Sequence, residues 1–388
     1  MFEMRVLQVI PRISTESAGP SYSVPALCRG LKNSGCDVSL HLLDAIPGGT
    51  LNFAAYSYPS RRFPHWSFGR SPEMYKGLKV LCKSADIVHN NSVWMMPNIY
   101  PAWAKRGTAC KLITQPRGTF SKWAMSRSRL KKVISGIIGQ YAALRATDMW
   151  IATSLEEFED IRRLGYRQPV AIIPNGVDLP KYEEMRNNGG DDCERKPRRR
   201  MFFLSRIHPT KNVETLIRAW AKLENEFEDW DLSIVGPDKN NSYADEMKVL
   251  CVELGCKRIF FEGEIKGVDK YRFMAAADCE VLPTHSENFG MVVAEALACG
   301  TPVICSKGAP WEGLVSEKCG WWVDAEESAI ENAMREAMSR PYTDLKEMGR
   351  RGREWMSRDF DWDAIGCKMK TAYEWLITGD ERPEYVYD

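Results

Sequence analysis

A strand, a polar loop, a helix and a second strand recur along this chain in two successive runs, separated by a charged stretch with no periodicity. The first run opens with MRVLQVIP (4–11), a loop carrying Ser14, Thr15, Ser17, Gly19 and Pro20, a helix over about 23–33 and a strand at 37–42. Strand, helix and strand within forty residues is the signature of a parallel sheet, whose strands are buried on both faces and therefore read as nearly continuous apolar runs. The alternation continues with a helix over 72–83, DIVHNN (86–91), a helix over 95–106, KLITQP (111–116), a long helical region over 127–147, MWIATS (149–154), a helix over 156–164 and VAIIPNGVD (170–178).

Residues 181–200, KYEEMRNNGGDDCERKPRRR, are charged, carry a Gly pair and a Pro, and predict a linker or surface excursion. A second unit then starts with MFFLSRI (201–207) and repeats the pattern through LSIVG (232–236), RIFFEG (258–263), CEVLPT (279–284) and PVICS (302–306), with helices over 211–223, 242–253, 267–276 and 290–299. Two α/β domains follow, over 1–180 and 201–360, consistent with a length of 388 residues. Helices over 343–356 and 361–377 close the chain, and the segment 361–388 either stays with the second domain or folds back on the first. Ligands are expected where the carboxyl ends of both sheets face a cleft.

Charge and composition exclude several classes. With 53 basic and 52 acidic residues the net charge is +1, so the chain lacks the positive footprint that nucleic acid requires. No run of about 18 uncharged apolar residues predicts a membrane span. Residues 1–11 read as a first strand and not as a signal peptide, since Glu3 and Arg5 interrupt them. The twelve cysteines include no CxxC pair, which favours reduced core residues of a cytoplasmic protein over disulfides or a zinc site.

The stretch THSENFGMVVAEALACGTPVI (284–304) is the most informative. Glu287 lies in a loop after a strand, Gly290 opens a helix, and Glu295 lies within it. An open helix start suits phosphate oxygens, so a ligand held at this point could meet Glu287 with one part and Glu295 with another. Alternatively, Glu287 caps the helix and Glu295 faces solvent. In SRIHPTKN (205–212), Arg206 ends a strand and Lys211 begins a helix, so both could neutralise a diphosphate without a metal, or simply be surface charges. In the first domain, Gly19 permits close backbone approach to a ligand. His89 and Asn90 sit at a strand end, as acceptor contacts or as buried hydrogen-bond partners. Arg117 and Gly118 end the next strand, where Arg117 binds an acceptor or phosphate or is a surface charge. DWD (361–363) follows a helix and is assigned no metal, and the loop at Gly19 lacks both GxxxxGK[ST] and GxGxxG.

These residues resemble a known group. With Glu287 and Glu295 seven residues apart in ENFGMVVAEALACGTPVI, with SRIHPTKN and with IPNGVD (173–178), nearly the whole chain is similar to the retaining glycosyltransferases of the GT-B-fold family 4. The resemblance implies two Rossmann-like parallel-sheet domains facing across a cleft, with the first binding an acceptor and the second a UDP- or GDP-sugar. Glu295 would take the ribose hydroxyls and Arg206 and Lys211 the diphosphate. Glu287 and the backbone of Asn288 to Met291 would hold sugar and phosphates. No cofactor or metal is implied, and attack on the face the diphosphate leaves needs no protein nucleophile. Contacts around Val235–Asp238 and Gly263–Ile265 would hold the base. Many relatives have His-Asp or His-Gly where this chain has Arg117-Gly118, so a histidine role is lost there. The Arg-Gly pair is similar to that of envelope-polysaccharide enzymes, which implies lipopolysaccharide, O-antigen or related glycan assembly on an oligosaccharide or undecaprenyl-diphosphate-linked acceptor. Ala18-Gly19-Pro20 replaces the family's Gly pair and weakens the expected phosphate contact. A nucleotide-sugar epimerase, a non-catalytic sugar- or nucleotide-binding protein, and a hydrolase or phosphorylase on the same fold are the other readings.

The region 119–141 mixes Lys122, Arg127, Arg129, Lys131 and Lys132 with Trp123, Leu130, Val133, Ile137 and Ile138. Its basic segment 122–132 could touch an anionic membrane from the cytoplasmic side. The other reading is a helix that packs its apolar side on the sheet and solvates its basic side.

Overall fold

Apolar runs such as RVLQV and IVHNN leave neither face to water, and in the computed structural model they form the centre of a parallel sheet. Described residues are 3–13, 19–43, 51–60, 68–181, 185, 198–237 and 241–388; Ser14, Thr15, Ser17, Ala18, Asp238 and most of the stretch 181–200 lie outside them. The chain divides into two compact units, Met1–Gly176 with Trp362–Asp388, and Val177–Asp361.

The first unit is built on an eight-stranded sheet. Its strands are β1 (Arg5–Val9), β2 (Asp37–Leu42), β3 (Ala54–Ser57), β4 (Ile87–Asn91), β5 (Lys111–Gln115), β6 (Met149–Ala152), β7 (Val170–Ile172) and β14 (Val386–Tyr387). They lie in the order β14-β7-β6-β5-β4-β1-β2-β3, all parallel except β14, which runs antiparallel to β7. The edge strand β3, mostly exposed and without apolar alternation, is not foreseen by periodicity.

The helix Trp362–Thr378 groups with this unit. It buries Trp362, Ile365, Met369 and Tyr373 in the same apolar cluster as Val24, Leu27 and Leu31 of the helix Gly19–Asn33. Two glycines set the crossing. A Cβ on Gly366 would lie 2.3 Å from the carbonyl carbon of Gly30, and one on Gly30 would lie 2.1 Å from the carbonyl oxygen of Trp362. The backbones touch, and only hydrogen side chains fit between them.

The long helical region expected over 127–147 is broken. Helices Lys122–Ser126 and Arg129–Ser135 are separated at Ser128, which takes a left-handed φ of 49°, and a π turn over Gly136–Gln140 leads into the helix Tyr141–Arg145. Its packing also reverses the expectation that the apolar side lies on the sheet. Ser135, Gly136 and Gln140 face inward, whereas Leu130, Val133, Ile137 and Ile138 face out. Two inward oxygens bond to the backbone of Trp94, Ser135 Oγ donating to its carbonyl at 3.1 Å and Gln140 Oε1 accepting from its amide at 2.9 Å, while Gln140 Nε2 is buried with no partner among the described residues.

The second unit holds a six-stranded parallel sheet in the order β10-β9-β8-β11-β12-β13. Its strands are β8 (Arg199–Leu204), β9 (Trp230–Val235), β10 (Ile259–Gly263), β11 (Cys279–Leu282), β12 (Val303–Ser306) and β13 (Gly320–Val323). Strand β8 begins within the stretch read as a linker, and β13 and the helix Glu327–Ser339 are additional to the sequence pattern. Val177 pairs with Asp361 in an isolated parallel bridge, its amide bonded to the carbonyl of Phe360 at 2.8 Å, so both chain passages into this unit lie side by side. Among the described residues, the cysteines are free thiols and no helix is long and apolar enough to cross a membrane.

Replacing Gly366 with Ala is expected to destabilise the first unit by about 1–3 kcal/mol through overpacking. Gly19→Ala, whose added methyl meets nothing within 4 Å, is the matched control. Urea unfolding of both variants checks this, and equal midpoints would contradict the backbone contact.

Candidate active site

In the second unit the candidate residues collect at the carboxyl ends of β8, β11 and β12. After β8 the chain makes a 3-10 turn, Pro209–Lys211, and Asn212 takes a left-handed φ of 59° before the helix Val213–Leu223. Asn212 holds the turn in place by donating from Nδ2 to the carbonyls of Pro283 at 3.1 Å and Ala325 at 3.0 Å. The carbonyl of Thr210 accepts from the amide of His285 at 2.9 Å and from Thr284 Oγ1 at 3.1 Å, joining the β8 turn to the loop after β11. Ser306 Oγ donates to the carbonyl of Thr284 at 2.5 Å, adding β12. At Gly308 a Cβ would lie 2.2 Å from that same carbonyl oxygen, so close passage requires glycine.

This scaffold brings Lys211 and Glu287 into an ion pair, Nζ against Oε1, with the lysine side chain 8% and the carboxylate 21% exposed. Glu287 therefore does not cap the following helix. Gly290, in the left-handed region at φ 79°, precedes the helix Met291–Ala298, and no side chain caps it. Phe289 is buried, its ring 5.0 Å from Trp311 and 6.1 Å from Phe360, and its carbonyl accepts from Trp311 Nε1 at 2.5 Å. Its side chain thus anchors the loop from below, leaving the loop backbone as the part able to meet a ligand. Asn288 and Met291 flank it, both half-buried.

Glu295 does not face open solvent. It pairs with Lys270 at 2.6 Å, both side chains about one-sixth exposed. Beneath them on β11, Glu280 is fully buried with neither oxygen hydrogen-bonded. Burial first, and then the charge of Glu295, push its carboxyl well above the carboxylate range against the opposing pull of Lys270. Arg206 is exposed and pairs with no acidic group among the described residues.

The first unit contains a second polar cluster at the carboxyl ends of β4 and β5. Arg117, left-handed at φ 55°, is followed by Gly118 at φ 77°. Its guanidinium is no surface charge. Nε and Nη2 donate to Asn91 Oδ1 at 3.0 and 2.8 Å, and Nη1 donates to Ser23 Oγ at 2.9 Å and Asn175 Oδ1 at 3.4 Å. Ser23 Oγ donates in turn to the carbonyl of Gly19 at 3.0 Å, tying the helix start to Arg117. Burial lowers the guanidinium to about 10, with Glu157 opposing, so it stays charged at neutral pH. Glu157, itself buried, accepts from the amide of Gly118 at 2.6 Å and from Thr153 N and Oγ1 at 2.8 and 2.9 Å, which fixes the strained turn.

His89 and Asn90 are buried and bonded inward. His89 Nδ1 lies 2.6 Å from the Tyr373 hydroxyl, and Gln8 Nε2 is within 3.4 Å of both. Asn90 and Asn98 bond each other from the opposite face of β4, at 2.9 Å. Strand alternation explains the difference, since His89 and Asn91 share a side while Asn90 points away. The same rule, applied to HNN, would have singled out Asn91, which binds Arg117. Ser23, Asn175, Glu157 and Lys270 were also missed, each named by a pairing between distant segments that no local pattern carries, and so was Glu280, named by its burial without a partner among the described residues. Among the described residues no three His, Cys, Asp or Glu side chains group to hold a metal.

Comparison with known proteins follows the same division. Residues 18–181 match the family model "Glycosyltransferase Family 4", and residues 192–355 match "Glycosyl transferases group 1". A D-inositol 3-phosphate glycosyltransferase of Corynebacterium glutamicum is 26% identical over 251 residues, which cover 60% of this chain and 58% of that protein. The matched part thus spans little more than half of that relative's length. Among solved structures, a sucrose-phosphate synthase from Thermosynechococcus elongatus has a TM-score of 0.74 at 21% identity, covering 97% of this chain and all of that one. Anabaena HepE in complex with UDP and glucose has a TM-score of 0.72 at 16% identity, covering 96% and 100%. These likenesses show the fold, two Rossmann-like units of GT-B type.

Burial and the Arg117 charge hold the His89 imidazole down at about 3, with Gln115 partly opposing, so the folded chain refuses a proton that the unfolded chain accepts below about 6.5. Stability is therefore unaffected by this group above that pH and falls as pH drops towards 3. His89→Gln should flatten the decline by about 1.4 kcal/mol per pH unit in that window, while His41, held at about 4 by burial, still contributes. Urea titrations at pH 7.5, 6 and 5 measure the difference; parallel curves for the two proteins would contradict it.

Proposed function

The chain belongs to the GT-B-fold glycosyltransferases described by those two family models, and on that premise we propose that it is a retaining transferase moving a hexose or N-acetylhexosamine from a UDP- or GDP-sugar to a glycan. The observation that carries this reading is the pairing of Lys211 with Glu287 beside the uncapped helix at Gly290. A nearly buried lysine is held by one carboxylate at a place where backbone amides point outward. A diphosphate entering there replaces the carboxylate as counter-ion, and the freed Glu287 turns to the sugar hydroxyls. Exposed Arg206 adds its fork to the phosphates.

Glu295 holds the ribose hydroxyls in this reading, giving up Lys270 to do so or sharing it. Beneath it, burial pushes the Glu280 carboxyl towards its neutral form, which lessens its repulsion of the ribose-binding carboxylate. In the first unit, Arg117 and Gly118 bind the acceptor or the transferred sugar, with Gly19 near the phosphates. His89 and Asn90 act through the packing around them.

The transfer itself needs one bond made and one broken. The acceptor oxygen bonds to the anomeric carbon as the bond from that carbon to the phosphate oxygen breaks, on the same face. The acceptor proton passes to a donor phosphate oxygen, and the electron pair leaves with the diphosphate. Lys211 and Arg206 stabilise the charge that grows there, with no metal and no covalent enzyme intermediate. The acceptor is an oligosaccharide or a glycan on undecaprenyl diphosphate, in lipopolysaccharide, O-antigen or similar polysaccharide synthesis. The Arg117-Gly118 pair supports that choice.

Two variants test the assignments by release of nucleoside diphosphate. Lys211→Met should lower turnover by on the order of 10²-fold or more; wild-type turnover would remove Lys211 from the mechanism. Glu295→Gln should weaken donor binding roughly tenfold to 100-fold with a smaller effect at saturating donor. Unchanged donor affinity would rule out its ribose contact.

A further inference from the structure

We propose that the outward face of residues 122–145 is a docking surface for an anionic lipid bilayer. The helical run Arg129–Arg145 is packed inside out. Ser135 and Gln140 are 2% and 0% exposed, whereas Leu130 and Ile137 are 73% and 78% exposed. Val133 and Tyr141 continue the outward series at three- and four-residue spacing, 46% and 41% exposed, and Trp123 stands out from the preceding short helix at 47%. Sequence that could have turned these side chains inward instead places small and polar groups there, with Ser135 Oγ and Gln140 Oε1 bonded to the backbone of Trp94 and Gln140 Nε2 left buried without a partner among the described residues. An apolar surface maintained against the hydrophobic effect marks a contact site.

Charge identifies what covers it. Between Asp86 and Asp148 the sequence contains ten basic residues and no acidic one, in a chain whose net charge is +1. Arg127 lies over the Trp123 ring, 4.3 Å from its centre, and Lys132 reaches the carbonyl of Ala124, so the two helices present their aromatic, aliphatic and basic groups as one piece. Protein interfaces are depleted in lysine at their cores. A second copy of this chain would set this positive surface against itself under two-fold symmetry. An anionic bilayer accepts both parts, the aliphatic tips of Leu130 and Ile137 entering the acyl boundary and the flanking Arg129, Lys131 and Arg127 meeting headgroups. No step of the transfer chemistry depends on this surface, so absence of lipid binding would leave the donor site untouched.

The test is co-flotation of the full chain with vesicles of phosphatidylcholine alone and of phosphatidylcholine with 30 mol% phosphatidylglycerol, beside sedimentation of the free protein. The wild type should float with the anionic vesicles only. Leu130→Glu with Ile137→Glu should abolish flotation without lowering the unfolding midpoint, since both side chains are already in water. Arg129→Gln with Lys131→Gln should weaken partition roughly 30-fold, at about fivefold per basic residue. Failure of the wild type to float, or flotation of the double glutamate variant, would overturn the proposal. So would a dimer that the glutamates dissociate in the absence of vesicle binding.

Discussion

A parallel sheet buried on both faces leaves its strands no exposure except at their ends, and at the carboxyl end each strand delivers its next residues into a loop before a helix begins. Everything chemical in this chain obeys that constraint. Lys211, Glu287 and Ser306 follow β8, β11 and β12 or end them, while Asn91, Arg117 and Thr153 stand in the same relation to β4, β5 and β6. The helices that follow supply the partners, Glu295 from one and Glu157 from another. Loops at these positions are short and cross-braced by backbone carbonyls, so the side chains they carry are held in place before any ligand arrives.

Charge at both clusters is arranged so that little of it is left over. Lys211 meets Glu287, Lys270 meets Glu295, and burial pushes the carboxyl of Glu280 beneath them towards its neutral form. Arg117 is treated differently: its direct partners are neutral oxygens, and the compensating carboxylate of Glu157 acts through the intervening Gly118 turn. A guanidinium bound to amides and a hydroxyl keeps more of its charge available to an incoming anion or sugar than one locked in a carboxylate fork. Through Asn91 and Gln8 the same network reaches His89 and Tyr373, so the C-terminal helix is tied to the edge where Arg117 sits.

Most of the architecture was legible because burial on both faces writes long apolar runs into the sequence, and eleven of the fourteen strands among the described residues were foreseen. Strand β3 was not, because it is an edge with little to bury, and β13 is four residues long and only half covered. At the site, Glu287, Glu295 and Lys211 stood out because their spacing around a strand-to-helix turn is local. Lys270 and Glu280 did not, because their importance arises where separate elements meet, helix against helix for Lys270 and Glu295 and buried strand beneath them for Glu280. The region 122–145 misled for a plainer reason. Periodicity states which residues share a side of a helix and says nothing about which side faces the protein, and here the inward side is the polar one.

The central claim is that the second unit holds a nucleotide sugar without a metal, and calorimetric titration with UDP-, GDP-, ADP- and dTDP-sugars in the presence of EDTA tests it most directly. Saturable binding of one donor, unchanged by added magnesium, is the result this account predicts. Absence of binding by all four, or binding that appears only with the metal, would contradict it.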